Sequence, residues 1–226
     1  MHYIAIPFDL GSIRRVAARS LALGRRLKRV FYDAGVRSRD YRPFPNVTRR
    51  NGRQQSIEIP LMTRLLRLPR GARILEIGCG RGIGLAELGR RLEPQRLVGL
   101  DIDSSFLEEA REHLDRAGTR AELVQADARR LPFPPASFDV VIDFGTCYHI
   151  AFASHAVSEV HRVLVHGGLF VHETRWAQLL SHPVRSFGRA MPHSAGPNLV
   201  SRRWACFWCA RERRGDSAAP VISVSA

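Results

Sequence analysis

With 226 residues, 45% hydrophobic and 25% charged, the chain has the proportions of one globular domain rather than of a disordered or fibrous protein. No apolar run approaches the roughly 20 residues of a membrane span, and four cysteines (Cys79, Cys147, Cys206, Cys209) in this length make no disulfide framework. The net charge of +14 is uneven: +12 over residues 1–72, −4 over 73–173 and +6 over 174–226. Of the 35 basic residues 34 are arginine, a skew that reads as coding bias at least as much as a nucleic-acid footprint, and no specific nucleic-acid binding is expected.

Met1–Leu10 lacks a basic stretch followed by an apolar run and a small-residue cleavage site, so the expectation is a soluble, cytoplasmic protein. Residues 12–31 predict a helix, with Ser12 as N-cap and Ile13, Val16, Leu23, Leu27 and Val30 at helical spacing between arginines. The favoured reading packs that apolar stripe on the domain; the other lays its basic face on a membrane surface or an acidic partner. Residues 41–55, with two prolines and Asn51–Gly52, predict a loop. A short helix over Ile57–Leu68 then leads into a turn at Pro69–Gly71.

From Ala72 the texture changes. Strands are predicted at 72–78, 96–101, 121–127, 138–143 and 169–174, separated by helices at 85–92, 104–117 and 155–164. Short, nearly continuous apolar strands alternating with amphipathic helices imply a parallel sheet covered on both faces. Right-handed crossovers make it a doubly wound α/β sheet with ligands at the carboxyl ends of its strands. The division expected is an N-terminal helical cap over 1–70, a ligand-binding domain over 71–214 and a mobile tail over 215–226.

The chemistry is concentrated in Glu76–Ile77–Gly78–Cys79–Gly80–Arg81–Gly82, between the first strand and a helix. Glycines there let the chain turn sharply and let a ligand approach the main chain. Such a turn alone is unspecific, because nicotinamide and flavin sites share it. Three acids sharpen it. Glu76 precedes the first glycine by two residues. Asp101 ends the second strand, where a carboxylate accepts both hydroxyls of a ribose. Asp127 ends the third, followed by Ala128, where a carboxylate accepts an adenine amino group. Two carboxylates around one nucleoside suit a ligand without phosphate, since a pyrophosphate would be repelled.

With LEIGCGRG (75–82), LVGLDID (97–103), QADARRLPFPPASFDVVID (125–143) and SEVHRVLVHGGLFVHE (158–173) in this order, the sequence resembles the class I S-adenosylmethionine-dependent methyltransferases. The likeness is greatest to the branch of ubiquinone/menaquinone-biosynthesis enzymes and other small-molecule methyltransferases, and it covers roughly residues 60–174. The resemblance implies a mostly parallel, seven-stranded Rossmann-like sheet with S-adenosylmethionine as methyl donor and a small-molecule acceptor methylated at O, N or C. It implies that Glu76, Gly78 and Gly80, with Cys79 in the same turn, border the methionine part of the cofactor. Asp101 would hold the ribose, Ile102 pack on the adenine, and Asp127 with Ala128 bound its amino edge; Asp143 and Phe144 would line the opening towards the acceptor. His166 stands where the family's proline precedes the Gly-Gly turn, and RRWACFWCARER (202–213) is read as the last strand.

Candidate proton acceptors are His149, just after the fourth strand, and His172 or Glu173, ending the fifth, of which strand alternation lets only one face the cleft. Tyr41 reads as an ordinary packed tyrosine that could reach the cofactor. The Cys206/Cys209 pair lacks a partner pair with metal spacing, and His155, His161 and His166 read as solvated, so no metal is expected. The Asp-Phe-Gly-Thr run at 143–146 is unlike the Asp/Asn-Pro-Pro-aromatic motif of nucleic-acid amino methylation. Two other readings stand beside the enzyme: a basic membrane- or nucleic-acid-associated protein retaining a cofactor fold, and a nicotinamide-dependent enzyme.

Overall fold

The computed structural model describes residues 47–147, 150, 152–173, 199–205 and 208–213, all within a unit spanning Asp40–Ala226. The expected helix at 12–31, Tyr41, His149, Cys206 and the tail lie outside the described residues. In chain order the elements are α1 (Val47–Arg53), a π-helical turn (Gln54–Glu58), α2 (Ile59–Leu65), β1 (Arg73–Ile77), α3 (Ile83–Leu92), β2 (Arg96–Asp101) and α4 (Ser104–Ala117). Then follow β3 (Glu122–Gln125), β4 (Phe138–Asp143), α5 (Ala153–Val163), β5 (Leu164–Glu173), β6 (Leu199–Ala205) and β7 (Trp208–Arg213).

Seven strands form one sheet in the order β3-β2-β1-β4-β5-β7-β6. The first five pair in parallel, and β7 runs antiparallel to both β5 and β6. The strand order reverses between β1 and β4, which opens a crevice at the carboxyl ends of those strands. The central strands β1, β2 and β4 are buried almost throughout, as strands covered on both faces must be. Alternate residues feed two cores. Ile74, Ile142 and Val171 join α2 and α3 through Ile59, Met62, Leu66, Leu85 and Leu88. Leu75, Val141 and Phe170 join α5 through Ala156, Val157, Val160 and Val163.

The predicted β2, α4 and β4 agree with the structure to the residue, because each has an abrupt start or stop. Asp103 caps α4 by accepting the Ser105 N–H at 3.0 Å, and Gly118, in the left-handed region, ends it.

Three expectations change. Residues 47–53, read within a loop, are helical, and Asn51–Gly52 forms no turn: the helix runs on into α2, whose Ile59, Met62 and Leu66 enter the sheet's own core. That core therefore recruits residues before 71, where a boundary had been expected. The strand β5 begins five residues early because Leu164 pairs with Phe138 ahead of an irregularity. Residues 202–213 are not one strand but two arms of a hairpin, with Ala205 paired to Trp208.

Candidate active site

The backbone at the end of β1 is shaped for close approach. Gly78 has φ +65°, and a Cβ there would overlap the Thr146 side chain. Gly82, with φ +74°, is the N-cap of α3. Two residues on, Gly84 leaves the space that the Glu76 carboxylate fills; a Cβ on Gly84 would overlap that carboxylate. Gly84→Ala is thus expected to displace Glu76 and weaken cofactor binding, which a calorimetric titration with S-adenosylhomocysteine checks; unchanged affinity would show that the displacement is tolerated.

Glu76 is 2% exposed, and its Oε2 makes no hydrogen bond among the described residues. Burial drives its pKa well above the ordinary value, helped by the charges of Asp101 and Asp143 and opposed by Arg50. At the end of β2, Asp101 ties the turn down: Oδ2 accepts the Gly80 N–H at 2.9 Å, and Oδ1 the Asp103 N–H at 3.0 Å. Burial raises the Asp101 pKa, and these backbone bonds resist the shift. Two bonds leave a carboxylate with acceptor capacity to spare. Cys79, buried against Gly99, donates its N–H to the Leu100 carbonyl at 3.0 Å, and burial pushes its thiol far above its ordinary pKa.

Ile102 is half-buried, with its carbonyl accepting from Gln125 Nε2 at 3.2 Å, and Ala128 is buried. Asp127, expected at the adenine amino edge, has its oxygens committed to Arg129, with Nη2 at 2.7 Å and Nε at 3.0 Å from Oδ2. Burial raises its pKa, but the Arg129 bonds outweigh that and hold it below the usual carboxylate range.

Asp143 departs from its expected place. It has no solvent exposure, and its carboxylate turns into its own loop, accepting the N–H groups of Thr146 at 2.5 Å and Cys147 at 3.3 Å. It shapes the loop rather than lining an opening. Burial lifts its pKa to about 6 against these bonds. Phe144 is likewise buried among the aliphatic residues beneath α2.

The β5 carboxyl end places His172 and Glu173 on opposite faces, as alternation requires. His172 lies beside Phe170, with ring centroids 5.2 Å apart, and its Nδ1 is 2.7 Å from the Glu173 carbonyl oxygen. Glu173 shares the Glu76 face. Its carboxylate borders Gly145, where a Cβ would stand 3.1 Å from Oε2. Burial lifts the Glu173 pKa to about 7; Arg50 and Arg53 oppose the rise, while Glu58 and Asp143 add to it.

That shift sets a stability slope. The folded-state value lies above the ordinary 4.5, so the unfolded chain ionises first and stability falls as pH rises from about 4.5 through 7. The full cost is on the order of 3 kcal/mol. Glu173→Gln is expected to stabilise the protein more at pH 8 than at pH 5; equal effects in denaturant titrations at both pH values would contradict this.

Sequence reasoning missed Arg50, which lay in a presumed loop. Its Nη2 donates to the Phe144 carbonyl and its Nη1 to Gln54 Oε1, both at 3.2 Å. It is the largest favourable charge acting on both Glu76 and Glu173. Nothing marks one arginine among 34; only the helix that carries it across the sheet does. Among the described residues no group of three or more His, Cys, Asp or Glu is arranged to hold a metal ion.

Residues 74–168 match the family model described as a methyltransferase domain, the stretch that holds the glycine turn, Asp101, Asp127 and Asp143. Over this stretch, less than half of the chain, the sequence is similar to class I S-adenosylmethionine-dependent methyltransferase domains. A fatty-acid O-methyltransferase of Mycolicibacterium smegmatis is 38% identical over 102 residues, 45% of this chain and 36% of that protein. A phthiotriol/phenolphthiotriol dimycocerosates methyltransferase of Mycobacterium leprae is 38% identical over 98 residues, 43% of this chain and 36% of that one. The match thus spans little more than a third of each relative's length. Among solved structures, a methyltransferase of Aquifex aeolicus superposes with a TM-score of 0.59 at 16% identity, covering 71% of this chain and 92% of that one. At that identity the likeness concerns the fold of the methyltransferase domain alone.

Proposed function

We propose that this chain binds S-adenosylmethionine at the carboxyl ends of β1 and β2 and transfers a methyl group to a small-molecule acceptor. The observation that carries this is Glu76: a buried carboxylate with an unpartnered oxygen, beside the Asp101 carboxylate and the glycine turn. An oxygen in that position suits a cationic amino group, such as the one on the methionine part of the cofactor. The spare acceptor capacity of Asp101 suits a ribose diol. A dinucleotide would instead bring a pyrophosphate near Glu76 and Asp101.

When bound, the cofactor supplies a methyl group already activated on its sulfonium. The protein then has to align an acceptor in line with that methyl and keep water away. Glu76 would hold the amino group of the methionine part and Asp101 the ribose. Asp143 fixes the loop after β4 through Thr146 and Cys147. Glu173, raised to about 7, takes the proton from a hydroxyl or carboxyl acceptor; a value near the working pH suits a group that must accept and then release it. One relative is named for fatty acids and O-methyl transfer, so an oxygen of a lipid-like acceptor is the first class to test. We assign the N-terminal segment, residues 1–70, to acceptor access.

The experiment is incubation of the full chain with methyl-labelled S-adenosylmethionine and a panel of hydroxylated and carboxylated lipids and quinols. Label transfer to one class is expected. Binding of the donor with no transfer across the panel, alongside salt-sensitive RNA binding, would favour the non-enzymatic reading.

A further inference from the structure

The helical segment from Val47 to Leu65 has two working faces. One carries Arg50 and the buried Gln54 to the loop after β4. On the other, Ile57, Leu61 and Leu65 are 58%, 38% and 47% exposed and recur every four residues, so they form one stripe. Phe152 is the one other large hydrophobic residue in the exposed group among the described residues. Beside the stripe, Ile57, Leu61 and Leu68 line an open groove of about 770 Å³ that reaches the C-terminal end of α3. Its rim is basic: Arg64, Arg70 and Arg90 all border it. Arg70 and Arg90 pair with Glu93 and Glu87, and Arg64 makes no ion pair among the described residues.

We propose that this face docks on an anionic phospholipid surface, with the aliphatic stripe entering the headgroup layer and the arginines meeting lipid phosphates. An exposed aliphatic row flanked by arginines is the pattern of a helix lying in a membrane interface. Charge complementarity selects the occupant. A second copy of the same face would set the arginines of one rim against those of the other. No helix among the described residues is long and apolar enough to cross a membrane. Such docking would hold the Arg50-bearing part of the same segment beside a source of apolar acceptors. The surface itself does not depend on the methyl-transfer reading.

The test is sedimentation of the full chain with vesicles of phosphatidylcholine alone and of phosphatidylcholine mixed equally with phosphatidylglycerol. Binding to the mixed vesicles is expected, weakening with salt, with little binding to phosphatidylcholine. The double variant I57D/L61D, and separately Arg64→Glu, should each lower the vesicle partition coefficient by about tenfold, with S-adenosylhomocysteine affinity unchanged as proof of folding. Equal partition of wild type and variants would overturn the proposal and assign lipid binding to another segment. Failure of the wild type to bind, or self-association lost in the double variant without vesicle binding, would overturn it too.

Discussion

Replacing Asp101 with alanine is expected to weaken S-adenosylhomocysteine binding by about ten- to a hundredfold, the value of charge-assisted hydrogen bonds worth on the order of 1.5–3 kcal/mol. Two losses combine. On the proposed reading the ribose hydroxyls lose their acceptor, and the Gly80 N–H, held at 2.9 Å, loses the anchor that shapes the glycine turn. The neighbouring Asp103 still caps α4 through Ser105, so the fold should persist. Asp101→Asn separates the two losses, since an amide oxygen can still accept from Gly80 but carries no charge. An alanine variant with wild-type affinity in calorimetry would remove Asp101 from the site.

The second large effect is expected at Glu173. With a hydroxyl or carboxyl acceptor, Glu173→Gln should lower kcat by about a hundred- to ten-thousandfold, the usual contribution of a positioned base. It should also remove the rise of kcat through the pH region near 7 where this carboxyl ionises. Cofactor affinity should change little, because Glu173 ends β5, across β4 from the donor strands. A variant whose rate falls in step with affinity, with its pH profile intact, would mean that Glu173 only supports the pocket through Arg50. In that case His149, two residues after Cys147 in the sequence, becomes the next residue to replace.

How far these roles were legible in the sequence depended on whether chemistry or packing fixed the residue. The glycine turn and Asp101 stood out because a strand end, a sharp turn and an acid at set spacing leave few alternatives, and the structure ties the Asp101 carboxylate to that turn at Gly80. The strands and helices from Arg73 to Glu173 were legible for a related reason: continuous apolar strands next to amphipathic helices permit one architecture. Asp143 looked the same as the other strand-end acids, yet it is spent on its own loop, and only coordinates distinguish an acid facing a ligand from one facing backbone N–H groups. Arg50 was hidden because Pro43, Pro45 and Asn51–Gly52 read as turn signals, while the packing of Ile59, Met62 and Leu66 against the sheet stabilises a helix through part of that stretch. The hairpin of β6 and β7 was read as one strand because aromatic and charged residues continue through its turn without glycine, asparagine or proline.

The most direct measurement is an isothermal titration of the full-length chain with S-adenosylhomocysteine and, separately, with a nicotinamide dinucleotide. One saturable site per chain for S-adenosylhomocysteine, and no heat from the dinucleotide, is the predicted result. Saturable dinucleotide binding with none for S-adenosylhomocysteine would contradict the assignment of Glu76 and Asp101 to a methyl donor.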